Sequence, residues 1–375
     1  MQYFKLELIK NFGLLWYLMP FFKSTLIKNK VSLTLSILTG RKNYKVILRE
    51  GLIINFPSKK FNNLLHLVGI LSFAYSYSIK DDLIELTFDD KNKITIPTKN
   101  LSYEDVNLLE LLFLGIKSGA DFIFNNKNDD FNLRDKTVRI YQDHDKKIVQ
   151  VSNGVKFYLD SIHPGNSIVE TFLQKIHMIH DVDDYTNKVV VDIGAECGDT
   201  ALFYASLNAT VYSFEPIKSN YDDMIKNLSL NPELDAKITP INAAIGEDKI
   251  LKFYQDPDTP NIGSSFVYNW RGKNAKITNV QGYSLETALE KFNINHVDLL
   301  KTDCKNCEFF FNKKSLEHVD MVKIETVTKN NTGKHMEDLL SSLKKIGFDC
   351  ILYKITPYDY SSNKVFAHIL GKKVK

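Results

Sequence analysis

The chain has 375 residues, 44% of them apolar and 25% charged, with a formal net charge of +3. That is the balance of an ordinary globular protein, long enough for two domains, and its charge is spread too evenly for a nucleic-acid footprint, so no nucleic-acid partner is expected. Four cysteines, Cys197, Cys304, Cys307 and Cys350, are too few for a disulfide-built scaffold and are expected as ordinary thiols in a reducing cytoplasm.

Residues 12–22 (FGLLWYLMPFF) form an apolar run of 11 residues, far short of the ~20 a spanning helix needs. No small-residue cleavage site follows, so neither a transmembrane segment nor a signal peptide is expected. A helix packed on the protein is the favoured reading, with peripheral membrane contact through residues 12–22 as the alternative. Residues 31–40 (VSLTLSILTG) alternate as a strand, and residues 44–55 read as a hairpin turning at Glu50-Gly51. FNNLLHLVGILSFAYSY has the spacing of a buried helix, and DLIELTF and KITIPT flank a polar turn as a second hairpin. SYEDVNLLELLFLGIKSGADF opens on Ser102 as an N-cap candidate and carries an apolar stripe to Gly119. Residues 1–124 are therefore expected to form a small α+β domain, and its role is not visible in its residues.

The polar stretch 125–136 marks a boundary. Residues 125–187 read as a linker, a β-hairpin turning at Asn153-Gly154, and a lead-in helix with Ile168, Phe172, Ile176 and Ile179 on one face. His177 and His180 would be i, i+3 neighbours on that helix. No carboxylate or cysteine pattern accompanies them or His163, so no metal site is expected.

The organising stretch is 188–216, KVVVDIGAECGDTALFYASLNATVYSFEP. An unbroken apolar strand runs into a glycine turn, a short helix follows, and a second strand ends at Glu215. This is a βαβ unit, and in such sheets ligands bind outside the carboxyl ends of the strands. Glycine at 194 and 198 permits φ > 0 and close approach of a ligand to the backbone. An acid closing the second strand suits two vicinal ribose hydroxyls. The dinucleotide pattern G-x-G-x-x-G is incomplete, and Glu196 sets a negative charge where a pyrophosphate would sit. A cofactor with ribose but no phosphate fits better, and S-adenosylmethionine is the candidate.

SNYDDMIKNLSLNP follows as a helix, with Ser219 or Asn220 as caps, Asp222 and Asp223 favouring the positive end of its dipole, and a stop at Asn231-Pro232. KITPINAAIG is the third strand, placing Asn242 and Ala243 where an amide meets an adenine edge. ILKFYQ, SSFVY and KITNVQGYS read as an antiparallel insertion, with residues 261–265 as a loop over the site, and LETALEKF as a short helix. VDLLKTDC is the fourth core strand, with Asp303 at its carboxyl end, and DMVKIETV the fifth, with Glu325 near its end. GKHMEDLLSSLKKIGF is an amphipathic helix closed by Gly347, and two terminal strands form an antiparallel pair. From 188 to 375 the expectation is an α/β doubly wound sheet, Rossmann-like, with alternating helices.

VVVDIGAECGDTALFYA, VYSFEP, YDDMIKNLSLN, ITPINAAIG, SLETAL, VDLLKTDCKNCEFFF and VDMVKIE are similar, in order and spacing, to the FkbM-type methyltransferases over roughly residues 165–350. The resemblance implies a class I methyltransferase domain over 188–375 that uses S-adenosylmethionine and methylates hydroxyls of sugars or sugar-bearing products, here a small-molecule or glycan acceptor. It places Asp192, Gly194, Glu196 and Gly198 in the cofactor loop, Glu215 and Pro216 at the ribose, and Asn242 and Ala243 at the adenine. Asp303 and Glu308 match acids of the family's K-x-D-x-E-G-x-E segment. Lys305-Asn306 departs from that segment's Glu-Gly. Lys305 is expected to pair with Asp303 and lower its pKa, while Asn306 is the next most tolerant residue where a glycine with φ > 0 is replaced.

For transfer to a hydroxyl, a carboxylate within hydrogen-bond reach is the simplest base. Asp303 is the candidate, with Glu308 and Glu325 behind it; the alternative for Asp303 is that it only binds the cofactor's ammonium group. Cys304-x-x-Cys307 resembles half a zinc site or a redox pair, and free thiols are expected. The rival functions are a cofactor-binding scaffold with reduced or lost activity, and a methyltransferase acting on protein or nucleic acid. An acidic pocket open beside Asp303 would favour the enzyme; Lys305 filling it would favour the scaffold.

Overall fold

The computed structural model describes residues 22, 24–38, 43–49, 51, 53–57, 61–81, 83–88, 93–97, 101–124, 135–162, 166–179, 184–255, 266, 274–327, 336–357 and 365–374. The chain divides into two compact units, Met1–Gln174 and Lys175–Lys375. Of the apolar run at 12–22, all but Phe22 lies outside the described residues.

In the first unit, α1 (Lys30–Leu38) occupies the stretch expected as a strand. Its alternation sets Ser and Thr against Val, Leu and Ile, and the hydroxyls bond back into the helix. Thr34 donates to Lys30 O at 2.8 Å and Ser36 to Ser32 O at 2.7 Å. Short hydroxyl side chains satisfy carbonyls locally, so alternation built from them does not identify a strand. The hairpin of β1 (Asn43–Ile47) and β2 (Ile53–Pro57) is present, with Gly51 at φ +86 in its turn. Helix α2 (Phe61–Phe73) ends before the apolar run does, and the next residues enter β3 (Ser76–Lys80), which pairs with β4 (Leu83–Thr87), itself paired with β5 (Lys93–Pro97). Helix α3 (Tyr103–Lys117) opens on a capping box: Ser102 Oγ accepts the Asp105 N–H, and the Asp105 carboxylate accepts the Ser102 N–H.

Strand β6 (Asp121–Phe124) lies parallel to β7 (Thr137–Asp143), and β8 (Lys146–Val151) and β9 (Lys156–Tyr158) complete that sheet. The boundary placed at 125 thus falls between two strands of one sheet, and the unit closes after Gln174. A polar stretch between paired strands has the composition of a linker, so composition alone does not separate the two. The expected lead-in helix stops early. Its last turn widens, with Gln174 N donating to Val169 O at 2.8 Å, and Lys175 at φ +52 ends it. Ile176 and Ile179 are buried but share no helical face with Ile168 and Phe172. His177 therefore lies outside the helix, and His163 and His180 lie outside the described residues.

The second unit is built on a seven-stranded sheet of order β12-β11-β10-β16-β17-β19-β18. Its members are β10 (Val189–Ile193), β11 (Thr210–Phe214), β12 (Ile238–Ile241), β16 (Val297–Thr302), β17 (Val319–Val327), β18 (Phe348–Pro357) and β19 (Val365–Lys373). The first five in that order are parallel; β19 runs antiparallel to both β17 and β18. All six residues of β16 are buried, the charged Asp298 and Lys301 among them. The chain moves outward from β10 through β11 to β12, then returns to the other flank of β10 as β16. The order therefore reverses between β10 and β16, the point at which open α/β sheets bind ligands.

Helix α4 (Asp199–Ser206) follows the glycine turn. Helix α5 (Lys218–Ser229) starts at least two residues earlier than its expected caps allow: Ile217 holds the N-cap position and no side chain caps it. Asp222 and Asp223 consequently fall beyond the first turn, where they pair with Lys218 and Lys226. The stop at Asn231-Pro232 holds, and Pro232 opens the short α6 (Pro232–Asp235). Strands β13 (Ala244–Ile245), β14 (Ile250–Gln255) and β15 (Lys276–Tyr283) form the inserted sheet, β14 and β15 antiparallel as expected. Of SSFVY only Phe266 is described, and the loop 261–265 is outside the described residues. Helices α7 (Leu285–Lys291) and α8 (Met336–Ile346) complete the unit, the latter followed by Gly347 at φ +110.

Candidate functional site

Parallel pairing sets the site's frame. Register places Asp192 beside Lys301 and Ile193 beside Thr302, so the turn after β10 and the residues after β16 leave the sheet together. Asp303 N donates to Ile193 O at 2.9 Å. Gly194 has φ +81, and a Cβ there would overlap the Asp303 carbonyl oxygen. Only glycine meets both demands. The turn continues through Glu196 at φ +47 to Gly198 at φ +83, which holds the N-cap of α4.

Beneath the turn lies a charged group that the sequence reading overlooked. Lys301 is 4% exposed and Asp192 wholly buried, and their Nζ–Oδ1 distance is 2.9 Å. Thr200 Oγ1 donates to Asp192 Oδ2 at 2.6 Å, and Lys301 Nζ to Gly194 O at 3.2 Å. Burial works against the Lys301 charge, but Asp192, Asp303 and Asp199 outweigh it and raise its pKa. The carboxylate of Asp192 is spent inside this brace. A lysine within a buried strand was the available signal.

Glu215 directly follows β11 and is 4% exposed. Its Oε2 accepts the Glu196 N–H at 2.9 Å and its Oε1 the Ile217 N–H at 2.8 Å, so it ties the glycine turn to the start of α5. Burial pushes its pKa up to about 7, against the pull of those two N–H groups. Asn242 is exposed; its Nδ2 donates to Glu215 O at 2.8 Å and Pro216 O at 3.2 Å, while Ala243 beside it is buried. The residues expected on the cofactor side are therefore contiguous.

The acids on the other flank also converge. Lys305 Nζ pairs with Asp303 Oδ1 and, at 2.9 Å, with Glu325 Oε1. Burial opposes ionisation of Asp303, but Lys305 and Lys301 overcome it and hold its pKa at about 2. Glu325 is shifted upward, by burial first and then by Asp303. Glu308 is 2% exposed; its Oε1 accepts from Thr326 Oγ1 at 2.8 Å and its Oε2 from Asn306 N at 2.9 Å. Burial pushes Glu308 up to about 7. Its carboxylate braces the loop from behind, whereas Asp303 and Glu325 carry the lysine.

The expectation of free thiols at 304 and 307 is overturned: the two cysteines form a disulfide. Lys305 at φ +52 and Asn306 at φ +100 fold the loop back on itself and bring the cysteine Cα atoms to 5.4 Å, within disulfide reach. The sulfurs lie close to Glu308 and are bonded to each other. A cavity of about 480 Å³ opens between Ile245–Asp248, Ser284–Glu290 and Phe310–Asn312, and none of the expected site residues lines it.

A glycine turn at the point where strand order reverses, with a buried acid directly after the next strand, is the place at which open α/β sheets bind ligands. Residues 192–350 match the profile of the methyltransferase FkbM domain. No curated protein sequence matches the chain. Among solved structures, EvdMO1 is similar at 10% identity over 50% of this chain and 37% of its own length, with a TM-score of 0.29. TYW2 of M. jannaschii in complex with AdoMet aligns at 14% identity over 68% of this chain and 98% of that one, with a TM-score of 0.34. A putative transferase from Pyrococcus horikoshii aligns at 12% over 84% and 99%, with a TM-score of 0.35.

Proposed function

We propose that the chain transfers a methyl group from S-adenosylmethionine to a hydroxyl of a sugar or glycan-type acceptor. The observation that carries the cofactor half is Glu215, a buried carboxylate hydrogen-bonded to the glycine turn at the reversal of strand order. Each of its oxygens takes one backbone N–H and keeps a free lone pair, which fits the two hydroxyls of a ribose. Gly194, Gly198, Glu215, Pro216, Asn242 and Ala243 would hold the nucleoside, with Asp192 and Lys301 bracing them from below. When bound, the cofactor supplies a methyl group on an electrophilic sulfonium.

The chain's own task is to place the acceptor and take its proton. Asp303 is ionised, so it can accept a proton, and its low pKa makes it a weak base while Lys305 is paired to it. Glu325 shares the same lysine, and Glu308 keeps the loop in place. A second reading is favoured by that same lysine: with Lys305 filling the acidic pair, the chain binds the cofactor without transferring its methyl group. Calorimetric titration with S-adenosylmethionine and S-adenosylhomocysteine, with Glu215→Ala as control, tests the cofactor half. Micromolar binding lost in the control supports it; no binding by folded protein sinks it. Transfer to a panel of glycans then separates the two readings.

A further inference from the structure

Two carboxylates from different strands converge on one cation that the chain itself provides. Asp303 follows β16 and Glu325 belongs to β17, and Lys305 reaches back onto both. About a third of the lysine side chain faces solvent (33%), whereas Lys301 is buried and committed to Asp192 and the Gly194 carbonyl. Of these two lysines only Lys305 can leave its partners for water. The backbone of Asp303 also abuts Gly194, so the residue that carries this carboxylate leaves the sheet beside the glycine turn.

We propose that Lys305 is a specificity-determining residue whose ammonium occupies, at Asp303 and Glu325, the position a cationic group of the cofactor takes on binding, so that side chain and cofactor compete. The inference rests on S-adenosylmethionine being the cofactor; that molecule carries an α-ammonium and a sulfonium, and the homocysteine product keeps only the ammonium. Apparent affinity is then the intrinsic affinity reduced by the fraction of time the lysine is off its partners. The backbone at φ +52 and +100, together with the Cys304–Cys307 bond, keeps the lysine stem beside the pair, so a displaced ammonium stays near and re-competes.

The test is calorimetric titration of the full chain and of Lys305→Gln and Lys305→Arg with both ligands. Partly exposed ion pairs are weak, so Lys305→Gln should tighten binding by about three- to tenfold, while Lys305→Arg should stay near the parent. Lys305→Asn, which suits the left-handed backbone, serves if the glutamine variant does not fold. Binding by Lys305→Gln that is unchanged or weaker, at an unchanged melting temperature, overturns the competition while leaving the cofactor reading intact. Binding seen only in Lys305→Gln supports competition in its strongest form. Failure of all folded variants to bind refutes the cofactor reading and this inference together.

Discussion

Replacing Glu215 by glutamine should change stability with a sign that depends on pH. The carboxyl is 4% exposed, and burial moves its pKa from 4.5 to about 7 although Ile217 and Glu196 donate to it. Below pH 4.5 both folded and unfolded chains hold the proton, and the shift costs nothing. Between pH 4.5 and 7 the folded state keeps a proton that the unfolded state has released, so stability falls as pH rises, by roughly 3 kcal/mol in all. Glutamine removes this titration but turns an NH₂ toward one of the two backbone donors, a fixed cost of about 1–2 kcal/mol. Urea denaturation of the full chain at pH 5 and pH 8, read as variant minus parent, cancels Glu308 and other groups titrating in the same window. Glu215→Gln should be the less stable protein at pH 5, by up to about 1 kcal/mol, and the more stable one at pH 8, by about 1–2 kcal/mol. A difference that is equal at both pH values, or that moves the other way, would refute the burial argument.

Lys301→Met leaves the Asp192 carboxylate buried with only Thr200 as partner and should cost about 3–5 kcal/mol in chemical denaturation; adding Asp192→Asn should recover part of it, and a loss under about 1 kcal/mol would show that the pair is not desolvated. Asn306→Ala should cost about 1–2 kcal/mol because φ is +100 there, whereas Asn306→Gly should be neutral or stabilising; equal melting temperatures for the two would count against a strained loop.

The sheet was readable because parallel strands buried on both faces need no periodicity to be seen, as Val189–Ile193 and Val297–Thr302 show. Glu215, Asp303 and Glu325 stand out as candidates because acids are conspicuous against apolar strands. What stayed hidden depends on register or on local competition. The Asp192–Lys301 pair exists only because β10 and β16 align those two residues, a fact no single strand contains. Lys305 was expected to pair with Asp303, and it does, but Glu325 as its second partner required the neighbouring strand. The strand expected at 31–40 failed on serine and threonine hydroxyls that serve a helix equally well. The helix expected to run to 180 failed at Lys175, where no glycine or proline announces the left-handed turn.

Strand β19 lies between β17 and β18, so the last-made of the three is the middle one. On a ribosome, which delivers the amino end first, Phe348–Pro357 emerges with no edge to dock on until Val365–Lys373 has followed it. During that interval Ile351 and Leu352, exposed even in the finished fold, sit on an unpaired ribbon. The sheet therefore closes by insertion from its tail, and a nascent chain stalled before residue 365 should be the form that holdase chaperones retain.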